Sequence, residues 1–272
     1  MANMKKTFYL FSLILSLSLL ASCSQSRNKN ASVQNDPMGD KTMNTSADSS
    51  QMHKTCKVKK VQKPLPASSD WDAPEWSIAP PIELPLYMGE KPEHFPQVQA
   101  RVLYDDEAIH VLFRVDDQYV RAVNEETPGF VCRDSCVEFF FTPEEDSSTG
   151  YFNIEVNCGG VMLFRHQDCP GGEREDLENP TSHGVEIYHS LPTRVEPEIT
   201  EPVVWTVAFS LPYEIIKKYH KGFQRPAPGV RWRANFYKCA DKTSHPHWLT
   251  WSKVDHPTPR FHMPEFFGFL EF

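Results

Sequence analysis

The chain reads as an all-β protein, a two-sheet β-sandwich of jelly-roll-like build with one short helix. Three observations carry that reading. Short runs alternate apolar and polar residues with period two, as half-buried strands do. Turns rich in Gly, Pro, Asp and Ser separate these runs along the length after residue 56. Only Pro212 to His220 has helical spacing, with proline in its first turn, Ile215, Ile216 and Tyr219 along one side and Gly222 beyond its end.

The elements follow in order. Lys5 and Lys6 precede an apolar stretch from Thr7 to Leu20, and Leu20-Ala-Ser-Cys23 closes it. Spanning a bilayer takes about 20 apolar residues, so the stretch is expected to be an export signal; small residues before a cysteine form a bacterial lipoprotein cleavage box. Residues 1–22 are therefore expected to be a lipoprotein signal peptide, with Cys23 carrying lipid. Each buried methylene contributes about 0.8 kcal/mol, so several acyl chains hold a protein at a membrane. Residues 23–55, rich in Ser, Asn, Gln, Lys and Thr, are expected to be a flexible tether, and residues 56–272 one sandwich domain. The expected location is the bacterial outer membrane, periplasmic or surface-facing. A net charge of −8, with no basic cluster beyond Lys57 to Lys63, excludes nucleic acid as a partner.

Within the domain, Trp71-Asp-Ala-Pro-Glu-Trp76 leads into a segment whose prolines (80, 81, 85, 92, 96) exclude a central strand or helix. Gln97 to Leu103, the turn Tyr104-Asp-Asp-Glu107, and Ala108 to Val115 form a hairpin that Asp116 and Asp117 end. A second hairpin joins Asp134-Ser-Cys-Val-Glu-Phe-Phe-Phe141 to Tyr151-Phe-Asn-Ile-Glu-Val-Asn-Cys158. Strands are then expected at Val161 to Phe164, Val185 to Ser190, Val203 to Ser210, Trp232 to Cys239, His247 to Trp251 and Phe266 to Phe272. Trp205 and Trp232, inside strongly alternating runs, are core residues worth on the order of 3 kcal/mol each.

The second hairpin carries the candidate site. With Val137, Phe139, Phe141, Phe152, Ile154 and Val156 on one side, Glu138 shares the other, half-solvated face with Asn153, Glu155 and Asn157. Such a face suits a polyhydroxylated ligand or a cation. Six cysteines follow Cys23, and export permits disulfides. One or two are expected near this hairpin rather than a metal site, because Cys132-x3-Cys136 has no second pair in sequence. His245-Pro-His247 lacks a third ligand at metal spacing.

The order of Asp134-Ser-Cys-Val-Glu138, Tyr151-Phe-Asn-Ile-Glu-Val-Asn157, Trp205-Thr-Val-Ala-Phe-Ser-Leu-Pro212, Gly229-Val-Arg-Trp-Arg-Ala-Asn-Phe-Tyr237 and Phe261-His-Met-Pro-Glu-Phe-Phe-Gly268 resembles the family 9 carbohydrate-binding modules. The resemblance implies a sugar-binding sandwich that works beside xylanases and other glycoside hydrolases, with structural calcium in some members. It implies a sugar gripped between two tryptophans and hydrogen-bonded by a glutamate, an arginine and amide side chains. Glu138 stands at the glutamate, Arg133 lies beside it, and Trp248 matches the later tryptophan better than Trp251, whose parity with Leu249 marks a core position. The earlier tryptophan falls near Cys132, where this chain has none; Phe130 supplies an aromatic face from the same loop.

These residues lead to three functional expectations. The first is a membrane-anchored protein that binds oligosaccharide or polysaccharide, xylan among them, for partner glycoside hydrolases. The second is a hydrolase acting on O-glycosyl bonds through Glu138 and Glu155, whose carboxylates would lie about 5 Å apart in a retaining enzyme and about 6.5–9.5 Å apart in an inverting one. The third is an adaptor sandwich that has lost sugar binding. The turns Asp105-Asp-Glu107 and Asp116-Asp117 offer the oxygen ligands that structural calcium takes, but each is expected to be a solvated turn.

Overall fold

Water expels the apolar rows of the two hairpins, and burying them face to face makes the core. The computed structural model describes residues 53–272; the signal peptide, Cys23 and nearly all of the tether lie outside the described residues. Its larger sheet has nine strands. The main path runs Thr55–Lys57, Gly268–Glu271, Arg231–Cys239, Cys136–Thr142, Tyr151–Asn157, Met162–Gln167, Arg174–Asp176, with Trp248–Thr250 paired beside Arg231–Cys239 and Leu86–Tyr87 beyond it. The facing sheet runs Glu186–His189, Val203–Pro212, Ala108–Asp117, Gln97–Tyr104, Lys59–Lys60, with Ile82–Glu83 also on Gln97–Tyr104. A two-stranded ribbon pairs Val195–Ile199 with Val120–Ala122.

Val137, Phe139, Phe141, Phe152, Ile154 and Val156 meet Val111, Phe113, Val115, Trp205, Val207 and Phe209 in one buried cluster, as the alternation predicts. Phe113 touches Phe236 across the sheets, ring centroids 6.1 Å apart. The single α-helix among the described residues spans Tyr213–Tyr219 and buries Tyr213, Ile215 and Ile216. Trp76, held in a short 3-10 turn, covers the outer face of the smaller sheet with Val61, Leu103 and Leu112.

One sequence expectation shifts at its edge. Thr55 already pairs with Phe269 in parallel, so the sheet begins inside the segment expected as tether. The first hairpin ends where expected, its last pair being Gln97 with Asp116, and Val203–Pro212 pairs with Ala108–Asp117 along its whole length, Val203 opposite Asp117. Asp117 is 4 % exposed and bonds His94 Nε2 at 2.7 Å, with Lys238 Nζ 3.5 Å away. Asp105 accepts from the Glu107 and Ala108 amides at 2.8 Å each, and Asp116 accepts from Arg114 at 2.8 Å. The Asp105 turn is thus held by its own amides, whereas in the second turn Asp116 Oδ1 and Asp117 Oδ2 have no hydrogen-bond partner.

The largest correction concerns the polar face of the second hairpin. Every residue of Cys136–Thr142 and Tyr151–Asn157 is buried on both sides, so these strands are not half-solvated. Phe140, Tyr151 and Tyr237 share the face with Glu138 and Glu155. The segment from Val254 to Phe267 folds over them, with Val254, Phe261 and Phe267 closing a second apolar cluster.

Two buried histidines make stability depend on acid. Burial, then the neighbouring Lys238 ammonium, brings His247 down to about 3; burial, then His220, brings His166 down to about 4. Their neutral forms contribute fully above the unfolded value of 6.5, and that contribution is lost as pH falls toward the folded values, because the unfolded chain takes the protons first. Thermal melts from pH 7 to pH 4 are expected to show a loss on the order of 2–4 kcal/mol.

Candidate functional site

Register places Glu138 directly opposite Glu155 on neighbouring strands, with Tyr237 opposite Glu138 on the other side. Next along the row, Cys136 lies between Asn157 and Cys239, and Trp248 pairs with Cys239. The strands therefore bring Glu138, Glu155, Cys239 and Trp248 together. They line one side of a cavity of about 250 Å³, and Asp241, Arg260 and His262 add polar groups from loops.

Each wall group is held by a partner. The Trp248 indole N–H donates to Asp241 Oδ1 at 2.8 Å, which fixes the ring of this half-buried tryptophan. Cys239 donates its S–H to Glu138 Oε1 at 3.0 Å, and Asn153 donates to Glu155 Oε1 at 2.8 Å. Burial, then the Glu155 charge, pushes the Glu138 carboxyl well above the usual carboxylate range; Glu155 is also raised, mainly by burial. The pair therefore retains a proton where isolated carboxylates would be ionised. It can then both donate to and accept from ligand hydroxyls.

His262 completes the lining. Its Nδ1 accepts from the Tyr151 hydroxyl at 2.9 Å and from Gln167 Nε2 at 3.1 Å, which leaves the proton on Nε2. Gln167 Nε2 also donates to Asn153 Oδ1 at 2.8 Å, so one chain of contacts links His262 to Glu155. Burial, then Arg165, brings His262 down to about 4, in agreement with a neutral ring.

Four expected site residues stand elsewhere. Asn153 lies behind Glu155 and orients it. Asn157 is fully buried, donating to Asp134 Oδ2 at 2.9 Å and accepting from the Val161 amide at 2.9 Å, so it ties the hairpin rather than facing the cavity. Phe130 is 65 % exposed with the Arg133 guanidinium over its ring at 4.5 Å, and neither lines the cavity. Their loop turns away because Val131–Arg133 forms a 3-10 turn that buries Val131. Cys132, at the expected tryptophan position, does line the cavity. The sequence reading missed Asp241, Arg260 and Phe261 as lining residues, since loops deliver them without periodicity.

The disulfides expected near the hairpin are not formed, and Cys56, Cys132, Cys136, Cys158, Cys169 and Cys239 are all free thiols. Asp134 is the knot that carries the loop into the hairpin. Its Oδ2 accepts from the Asn124 amide, Asn124 Nδ2 and Asn157 Nδ2, each at 2.9 Å. Asp134→Ala strands those donors, and urea unfolding is expected to show a loss of about 3 kcal/mol.

A second hollow adjoins the first. Gly89 to Glu93 and Pro246 line it, and it shares Asp241, Trp248 and Pro259 with the cavity over Glu138, so the Trp248 ring borders both.

The fold has relatives among solved structures. A candidate carbohydrate-binding protein from Bacteroides uniformis ATCC 8492 superposes with a TM-score of 0.70 at 28 % identity, over 80 % of this chain and 99 % of that one. A family 9 carbohydrate-binding module from Caldicellulosiruptor kristjanssonii, solved with glucose, has a TM-score of 0.54 at 12 % identity, covering 80 % and 95 %. The module from that organism solved with cellotriose gives 0.51 at 14 %, covering 80 % and 93 %. No curated protein sequence matches. The sequence pattern of carbohydrate-binding family 9 spans residues 85–272, which takes in every residue of the cavity wall, and the chain belongs to that family.

Proposed function

We propose that this chain binds oligosaccharide or polysaccharide in the cavity between Trp248 and the Glu138–Glu155 pair. The observation that carries the reading is the convergence of one fixed, half-exposed indole with two buried carboxyls that keep a proton. An aromatic face takes the apolar side of a pyranose, and paired carboxyls take neighbouring hydroxyls. Phe261, stacked on Tyr237 with centroids 4.1 Å apart, lines the same cavity and supplies aromatic surface in place of the tryptophan missing at Cys132. The adjoining hollow gives a second ring a place beside Trp248, so the ligand is a chain of sugars rather than a single one. The related modules solved with glucose and cellotriose support a glucose-based oligosaccharide as the ligand class.

The start of the sequence supports the rest of the proposal. A lipid on Cys23 holds the protein at the outer membrane, facing the periplasm or the surface, where it retains glycan for glycoside hydrolases. Isothermal titration of the purified protein against glucose, cellotriose and xylotriose tests the binding, and unchanged oligosaccharide afterwards separates binding from hydrolysis. Absence of heat with every glycan, cellulose- and xylan-derived alike, would leave the adaptor reading in its place. Recovery in the membrane fraction, lost on Cys23→Ala, tests the anchor.

A further inference from the structure

We propose that Cys136, Glu138 and Cys239 form a binding site for a thiophilic divalent cation, with zinc the leading candidate. Cys136 and Cys239 are direct cross-strand partners, and Glu138, two residues along, points to the same face. One ligand atom from each residue lies within 4.8 Å of the other two. Three corners of a tetrahedral shell have this spread, since zinc–sulfur bonds are about 2.3 Å and zinc–oxygen bonds about 2.0–2.2 Å. All three side chains are buried, at 0 %, 2 % and 1 % exposure.

Two further observations point to a cation. Glu138 faces Glu155, and among the described residues neither carboxyl is in an ion pair: Lys238 is turned to Asp117 and His247, Arg165 is engaged bidentately by Asp176, and Arg260 borders the cavity without bridging to either. The S–H of Cys239 already bridges to Glu138 Oε1, so a proton now holds the place between sulfur and oxygen that a metal ion would take. An entry path exists as well. Glu138 and Cys239 line the open cavity, and Cys132 lines it too, offering a third thiol as fourth ligand or leaving that position to solvent.

The donor set chooses the metal. Thiols select zinc-like cations over calcium and magnesium, which take oxygen. On binding, the two thiol protons pass to solvent as two metal–sulfur bonds form, and the thiolate charges balance the dication. Sequence spacing hides the site because the second cysteine arrives from a neighbouring strand rather than from a nearby pair.

Cobalt(II) titrated into the reduced, metal-free, full-length protein is the direct test. One equivalent is expected to produce thiolate-to-cobalt charge-transfer absorption that zinc removes. Cys136→Ser and Cys239→Ser should each abolish the band, Cys169→Ser should keep it, and Glu138→Gln should weaken cobalt at least tenfold. No band at one equivalent overturns the proposal, as does a band that survives the two serine variants combined, or a Cys136–Cys239 disulfide in the protein as isolated. Circular dichroism checks folding. If the serine variants fail to fold, unchanged cobalt affinity in Glu138→Gln overturns the proposal by itself. Sugar titrations on the metal-free protein keep this test separate from the glycan reading.

Discussion

Trp248→Ala is expected to weaken glycan binding by about 2–3 kcal/mol, roughly 30- to 150-fold in Kd, with little change in stability. The indole is the aromatic surface shared by both hollows, and its hydrogen bond to Asp241 holds it at a fixed angle before ligand arrives. A preset ring loses little freedom on binding, so its contact area appears in affinity. Alanine removes that surface and frees Asp241, while Leu249 and Trp251 in the core beneath keep their packing. Titration of both proteins with cellotriose and xylotriose, beside matched thermal melts, reads affinity and stability separately. An equal drop in melting temperature would mean that Trp248 serves the fold.

Trp232→Ala is expected to cost about 3–5 kcal/mol, a large part of the roughly 5–15 kcal/mol that holds a domain folded. Its ring is fully buried, stacks on Phe141 with centroids 5.5 Å apart, and meets the edges of Phe272 at 5.1 Å and Phe223 at 6.1 Å. The indole N–H donates to the Gln224 carbonyl at 2.8 Å. Alanine leaves a cavity lined by aromatic rings from both ends of the chain's second half, and the carbonyl loses its donor. Urea unfolding is expected to show the full cost, whereas Trp248→Ala shows almost none. Sugar affinity of whatever Trp232→Ala protein remains folded should be close to normal, because Trp232 lies on the far side of the sheet from the cavity.

Parity made most of this architecture readable. Val137, Phe139, Phe141, Phe152, Ile154 and Val156 could share a side only if Glu138 and Glu155 shared the other, and the register places those carboxyls opposite each other. Parity also separated Trp251, in the core, from Trp248, at the cavity. It failed to predict what covers the polar face. Phe140, Tyr151 and Tyr237 stand among polar residues on that side, and three large rings there were the sign of a second buried layer. The covering segment itself, Val254 to Phe267, contains little regular structure, so no period announces it. Asp241, Arg260 and Phe261 reach the cavity from loops and were invisible for the same reason. Asn157 looked like a ligand because its partners, Asp134 and the Val161 amide, lie on loops whose approach only the folded chain reveals.

The central claim is that glycan sits over Glu138 and Glu155 against Trp248. A structure of the protein soaked with cellotriose tests it most directly. The account predicts one sugar ring on the Trp248 face, with Glu138 or Glu155 at about 2.5–3.0 Å from a hydroxyl, and a second ring toward Gly89 to Glu93. A sugar bound elsewhere on the sandwich, with this cavity empty, would contradict it.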